Sequence, residues 1–169
     1  SIASADTAEI QDPALWQTQG GASINNDQVN FTYYSGTASQ TYDLSAYEQI
    51  NTLTVEAMVE GCNNFIGGWC GSTNTAKYDD LVVTIKVDNV TVATQTFTAD
   101  YYNPQTISLS YDHGGGTAQT AGMYFMSMDK GYWAGNYGPT VSDAAFIIDY
   151  TIPLTLDPAL DMVFTQPEL

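Results

Sequence analysis

The chain has 169 residues, of which 44% are hydrophobic, and this length and composition suit one folded domain rather than a disordered segment. It carries 19 acidic residues against 3 lysines and no arginine, for a net charge of −16. Nucleic-acid affinity depends on basic residues that displace counterions, so this charge excludes nucleic acid as a partner. No run of about 18 apolar residues is present, and we therefore predict no membrane insertion.

The two ends of the chain differ in composition from its middle. Residues 1–13 are small and polar, and residues 153–169 contain three prolines among leucine, valine and phenylalanine. Both are predicted to be extended segments of a single domain that covers residues 1–169. The chain begins at Ser1 rather than at Met, which is typical of a mature form without its signal segment, or of a trimmed chain.

Period-two alternation of apolar residues recurs along the chain and predicts β-strands. Leu53, Val55, Ala57 and Val59 alternate with Thr54, Glu56, Met58 and Glu60. The other predicted strands lie near residues 29–33, 81–87, 90–97, 106–111, 123–128 and 145–152, with a weaker one at 162–165. About eight short strands joined by polar, glycine-rich turns predict an all-β protein with an antiparallel sandwich or barrel.

A tight hairpin is predicted at Val87-Asp88-Asn89-Val90. Aspartate and asparagine tolerate the positive φ that a two-residue hairpin turn requires. The partner strand of residues 81–87 would therefore begin at Val90.

Two cysteines, Cys62 and Cys70, flank a glycine-rich stretch that lets the chain double back. We expect them to form a disulfide, and hence an oxidising, extracellular compartment; the alternative is two buried thiols. The enclosed segment also holds Phe65 and Trp69. Trp69 could contact a ligand from this pre-ordered loop, or pack over the end of the sandwich.

Groups that could perform catalysis are scarce, and we predict no enzyme activity. The single histidine, His113, lies in a His-Gly-Gly-Gly turn and is interpreted as a loop residue. No serine-nucleophile elbow and no phosphate-binding loop is present in the sequence. A pair of carboxylates could cleave a sugar, and the candidates are Asp79, Asp80, Asp129 and Asp149, although each also suits a solvated face or a turn.

A second aromatic, glycine-rich segment follows the strand near residues 123–128. Aromatic faces in such a loop could stack on the C–H surface of a sugar, while polar side chains bond to its hydroxyls. The candidate ligand-binding residues here are Asp129, Tyr132, Trp133, Asn136 and Tyr137. The alternative, which is equally consistent with the sequence, is that Trp133 and Tyr137 plug the core.

These residues carry a resemblance to a known family. The spacing Asp129-x-x-Tyr132-Trp133, continued through Gly138-Pro139 to Val141, resembles the closing motif of the F-box-associated domain. Residues 39–45 are similar to a strand of the same superfamily. The resemblance implies a galactose-binding-like β-sandwich, or jelly roll, that contacts glycans through loops at one end. Carried over, the sugar-contacting step is Tyr132 and Trp133.

Two functions remain open at this point. The first is a non-catalytic, extracellular carbohydrate-binding or adhesion module that recognises glycans or glycoproteins. The second is a structural subunit of a virion, filament or surface layer, which would assemble with copies of itself or other surface proteins through its terminal segments. The resemblance further suggests a structural Ca²⁺, for which the candidate ligands are Asp79, Asp80 and Asp88.

Overall fold

The computed structural model describes residues 3–61, 78–100, 103–127 and 138–154, without the side chains of Tyr33, Tyr34, Tyr78, Asp79 and Asp100. Nine antiparallel strands make up most of this part of the chain. They are β1 (Ser4–Ile10), β2 (Gln17–Asn25), β3 (Gln28–Asp43), β4 (Gln49–Glu60), β5 (Tyr78–Val87), β6 (Val90–Asp100), β7 (Gln105–Gly116), β8 (Thr120–Ser127) and β9 (Thr140–Ile152). A single 3-10 turn, Pro13–Leu15, connects β1 to β2.

The strands form two layers that are joined at one edge. The first layer has the order β2-β3-β8-β5-β6, and the second has the order β1-β9-β4-β7. The long strand β3 connects them, because Val29 and Asn30 pair with Val141 and Thr140 of β9. At the opposite edge β6 approaches β7, so the sandwich is nearly a closed barrel.

Alternate residues of each strand fill the space between the layers. Leu53, Val55, Ala57 and Val59 are buried, as their alternation predicts. The largest buried side chains come from both layers and include Phe31, Phe125 and Phe146. The antiparallel all-β sandwich that the sequence predicts is therefore the fold observed.

The predicted hairpin is confirmed. Asp88 and Asn89 have φ values of 48° and 65°, and Val87 pairs with Val90. Both central residues of the turn thus have positive φ, as in the type of turn that suits twisted hairpins. The Asp88 carboxylate additionally accepts hydrogen bonds from the backbone N–H groups of Gln119 and Thr120, each at 2.9 Å.

Two strands were not predicted. β1 lies within the N-terminal segment 1–13, and β2 contains the irregular Gly20–Ala22 step. Both are mostly exposed and polar, so they lack the apolar alternation that identifies the other strands. The predicted strand at 162–165 lies outside the described residues. No helix in the described part of the chain is long and apolar enough to cross a bilayer.

Candidate functional site

The predicted ligand-binding residues lie outside the part of the chain that the structure describes; they are Trp69, Asp129, Tyr132, Trp133, Asn136 and Tyr137. Cys62 and Cys70 lie outside it as well, so their pairing stays a prediction. The strand ends that flank the two aromatic segments are described. Glu60 pairs with Thr140, and Leu81 pairs with Ser127. Both segments are therefore attached at the same end of the sandwich.

Of the three predicted metal ligands, Asp79 has a side chain outside the described part of the structure, and the other two lie apart. Asp80 lies near the start of β5 and Asp88 follows its end, about 26 Å away at the rise of an extended strand. Asp80 accepts a hydrogen bond from Thr98 at 2.9 Å, whereas Asp88 caps a turn. These two carboxylates cannot ligate one ion, and the described residues contain no other cluster suited to a metal. A structural Ca²⁺ stays a prediction.

The described candidates for catalysis are also separated. Asp80 lies on the first layer, and Asp149 lies on the second, where it accepts 2.7 Å hydrogen bonds from Thr7 and Thr52. The Nε2 atom of His113 lies 2.9 Å from the Thr117 carbonyl oxygen, which closes the Gly-rich turn. None of the three side chains faces another, so they do not form an acid–base pair.

A groove of about 390 Å³ lies on the open face of the first layer. Residues paired directly across antiparallel strands project to the same side, so the strand register orders the residues of this face, lining and neighbours together, into rows. The central row runs Gln17, Ser39, Tyr124, Thr84 and Thr94. The row on one side of it runs Gln19, Thr37, Met126, Val82 and Thr96. The row on the other side runs Thr41, Gly122, Lys86 and Thr91.

Tyr124 stands at the centre of this face. Its hydroxyl lies 3.2 Å from the hydroxyl of Thr41, and the Lys86 Nζ lies 4.3 Å from the centre of its ring. Thr41 and Lys86 both pair with Gly122, so the tyrosine ring leans along β8 towards that glycine. A side chain at Gly122 would overlap the backbone carbonyl oxygen of Gln40, and glycine is thus required for the strands to pair here.

The chemistry of the groove is that of uncharged polar groups around an aromatic ring. Besides Tyr124, six of its lining side chains carry a hydroxyl or an amide: Gln17, Gln19, Thr37, Ser39, Thr84 and Thr91. The hydroxyl of Thr84 lies 3.1 Å from that of Thr94 on the neighbouring strand. Each hydroxyl can donate and accept, and each amide offers two donors and an acceptor. This combination suits a ligand that has many hydroxyl groups and an apolar face.

The lining of the groove differs in charge from the surfaces around it. Among the described residues that line the groove, Lys86 is charged and none carries a carboxylate. Asp43 and Asp80 lie on the same face, outside the lining. On the second layer, the same rule of paired residues places four carboxylates on the outer face, and these are Glu9, Glu56, Asp112 and Asp149. The carboxylates of the described residues therefore lie outside the groove lining.

A second cleft of about 390 Å³ lies beside the β2–β3 turn. Trp16, Met58, Asp27 and Asp143 contribute to its lining. The Trp16 ring packs edge-on against Phe125, with centroids 5.7 Å apart, so part of its surface is in contact with the core. This cleft lacks the continuous rows of hydroxyl groups found on the open face of the first layer.

Sequence reasoning missed the groove because it considered loops. The signal was present: Val82, Thr84 and Lys86 alternate with buried residues in a predicted strand, and Tyr124 does the same in another. The alternation does not predict the order of the strands in the sheet. Only the pairing of β8 between β3 and β5 places Tyr124 beside Lys86.

No protein-family model matches this chain, and no curated protein sequence matches it significantly. Solved structures do match. A family 35 carbohydrate-binding module from an environmental isolate is 9% identical, with a TM-score of 0.50 over 89% of this chain and 99% of that chain. The isomalto-dextranase of Arthrobacter globiformis T6, complexed with panose, is 11% identical, with a TM-score of 0.50 over 83% of this chain and 23% of that chain.

A further match is the C-terminal family 6 carbohydrate-binding module of a marine laminarinase from Zobellia galactanivorans. It is 11% identical, with a TM-score of 0.49 over 85% of this chain and 99% of that chain. At such identities the likeness concerns the fold. The match to the family 35 module extends over nearly the whole of both chains, which agrees with a jelly-roll-like β-sandwich.

Proposed function

We propose that this chain is a non-catalytic carbohydrate-binding module whose binding surface is the groove around Tyr124. The observation that carries the proposal is the position of one partly exposed aromatic ring among rows of hydroxyl and amide groups. A sugar has an apolar C–H face that packs on an aromatic ring and hydroxyl groups that need donors and acceptors. Sites for small ligands commonly combine these two features in a concave surface.

The shared fold supports the same function. The family 35 module that is similar to this chain is by its name carbohydrate-binding, and it matches nearly end to end. A common fold alone does not determine function, so the proposal depends on the groove. The name of that module favours binding over catalysis.

The aromatic segments at the end of the sandwich are proposed as a second contact region. Tyr124 is three residues from Ser127, where β8 ends, which is about 10 Å along an extended strand. A long glycan in the groove could therefore continue towards the segment that contains Trp133. The extracellular location and the likeness to F-box-associated domains belong to this proposal too, and they rest on the sequence.

The groove is tested by replacing its aromatic ring. In affinity electrophoresis through gels that contain polysaccharides, we expect Tyr124→Ala to lose the retardation that the parent protein shows. The matched control is Ile147→Ala, because Ile147 occupies a similar half-buried position on the outer face of the second layer. Equal retardation of parent and Tyr124→Ala would contradict the groove as the site, and a parent that binds no polysaccharide would contradict the function.

A further inference from the structure

We propose that the groove selects anionic polysaccharides, with Lys86 as the residue that pairs with a carboxylate or sulfate group of the glycan. This inference rests on the proposed function and narrows its ligand class. It follows from the contrast between the charge of the chain and the charge of the groove.

Positive charge is rare in this protein and is present in the groove. The chain has three lysines and no arginine against 19 acidic residues. Of the three lysines, Lys86 is the one within the described residues, and it lines the groove. None of the described residues that line the groove carries a carboxylate.

The position of Lys86 suits contact with a ligand. It lies in the interior of the face, between Gly122 of β8 and Thr91 of β6. Because Gly122 has no side chain, the Tyr124 ring can lie between Lys86 and Thr41. The contact of its Nζ with the Tyr124 ring at 4.3 Å holds the ammonium next to the surface on which a sugar would pack.

The negative charge of the whole molecule does not prevent this selectivity. At physiological ionic strength the Debye length is about 8 Å, so charges on exposed surfaces farther away are largely screened. The four carboxylates of the second layer face away from the groove, on the other side of two sheets that stack about 10 Å apart. On the groove's own face, Asp43, Asp80 and Asp88 lie outside the lining. Asp88 follows Lys86 by two residues, and its carboxylate accepts hydrogen bonds from the backbone N–H groups of Gln119 and Thr120. Within the groove, a glycan anion therefore meets Lys86 and uncharged side chains.

The test compares each anionic polymer with a neutral form of the same backbone. Polygalacturonate and its carboxyl-reduced form probe carboxylates, and carrageenan and its desulfated form probe sulfates. We expect the parent protein to bind at least one anionic form about tenfold or more tightly than its neutral form, as suits a charge-assisted hydrogen bond. In Lys86→Gln this preference should disappear, and in Lys86→Arg it should persist.

The variants separate the two levels of the proposal. If the parent binds neutral and anionic forms equally, or if Lys86→Gln keeps the preference, charge selection by Lys86 is wrong. Loss of neutral-polymer binding in Tyr124→Ala would then still support the groove as a glycan site. If the parent binds no polysaccharide of the panel, both the inference and the proposed function fail. Urea unfolding of each variant verifies that it is folded.

Discussion

The hydroxyl of Tyr42 donates a hydrogen bond of 2.6 Å to the side-chain oxygen of Gln40, and both side chains are buried between the layers. The Gln40 amide nitrogen in turn donates to the backbone carbonyl of Asp12 at 2.8 Å. This polar chain links β3 to the turn at Pro13–Leu15, which leads into β2 and one side of the groove. The wall formed by Gln17 and Gln19 therefore depends on a buried hydrogen-bond network.

Removal of the Tyr42 hydroxyl should destabilise the protein. Tyr42→Phe leaves the buried Gln40 oxygen without its donor, which costs about 1–3 kcal/mol in the free energy of unfolding. Urea unfolding at neutral pH measures the change. Tyr47→Phe is the matched control, because that ring is half-buried and packs on Tyr150 with centroids 4.7 Å apart. Equal losses in the two variants would contradict the role assigned to the Tyr42–Gln40 bond.

The same residue predicts an alkaline dependence of stability. Burial raises the pKa of Tyr42 well above its usual range, and the charge of Asp12 raises it further. An unfolded tyrosine ionises at about pH 10. The contribution of Tyr42 to stability is therefore complete below that pH and is lost as the pH rises above it. The difference in unfolding free energy between the parent and Tyr42→Phe should therefore shrink between about pH 9 and about pH 11. A difference that stays constant would contradict this assignment.

The outer face of the second layer has a dependence of opposite sign. Hydrogen bonds from Thr52 and Thr7 lower the pKa of Asp149 below its usual range. Their contribution is present above the unfolded pKa of about 3.9 and is lost as the pH falls through the lower folded value. Thr52→Val should cost up to about 1 kcal/mol at neutral pH, because solvent screens this half-exposed site, and less at strongly acidic pH.

Unfolding at neutral and acidic pH measures this difference, with Thr54→Val as control. Thr54 lies two residues away on the same face, and its hydroxyl contacts Ser110 at 2.8 Å rather than a carboxylate. The loss in the free energy of unfolding caused by Thr54→Val should be the same at neutral and acidic pH. A Thr52→Val effect that is equally independent of pH would contradict the assignment.

Gly122 should tolerate no side chain. In Gly122→Ala the added methyl group meets the carbonyl oxygen of Gln40, a backbone atom that cannot move without disturbing the β3–β8 pairing. We expect a loss of about 1–3 kcal/mol, as for other overpacked sites, and a disturbed Tyr124 ring. In Gly116→Ala the new methyl would lie 3.3 Å from the His113 ring, a side chain near a turn, so the loss should be smaller. Thermal unfolding of both variants decides the point.

The sequence predicts those strands that bury one face and expose the other, because their apolar residues then alternate with polar ones. The alternation in β4 and β5 and the Asp88–Asn89 turn predict their elements because each depends on neighbours in sequence. β1 and β2 were missed because their residues are mostly exposed, so the pairing with β9 and β3, rather than any apolar face, defines them. Edge strands of this kind carry little local signal.

The groove illustrates a different limit. Lys86 and Tyr124 are 38 positions apart, and their contact exists because β8 lies beside β5. Alternation tells which side of a strand a residue occupies, but it does not tell which strand lies next to it. A surface built from outward-facing residues of five strands therefore becomes visible when the register is known, whereas aromatic loops are visible from composition alone.

The relative importance of the groove and the aromatic loops can be measured with Tyr124→Ala, Trp133→Ala and the double variant. Loss of an aromatic contact costs about 0.5–1.5 kcal/mol beyond its buried area, so each single change should weaken binding of a long glycan several-fold or more. A short oligosaccharide that fills only the groove should be sensitive to Tyr124→Ala alone. Calorimetric titration with both ligand lengths measures this. If Trp133→Ala abolishes binding of the short ligand while Tyr124→Ala does not, the loops rather than the groove form the primary site.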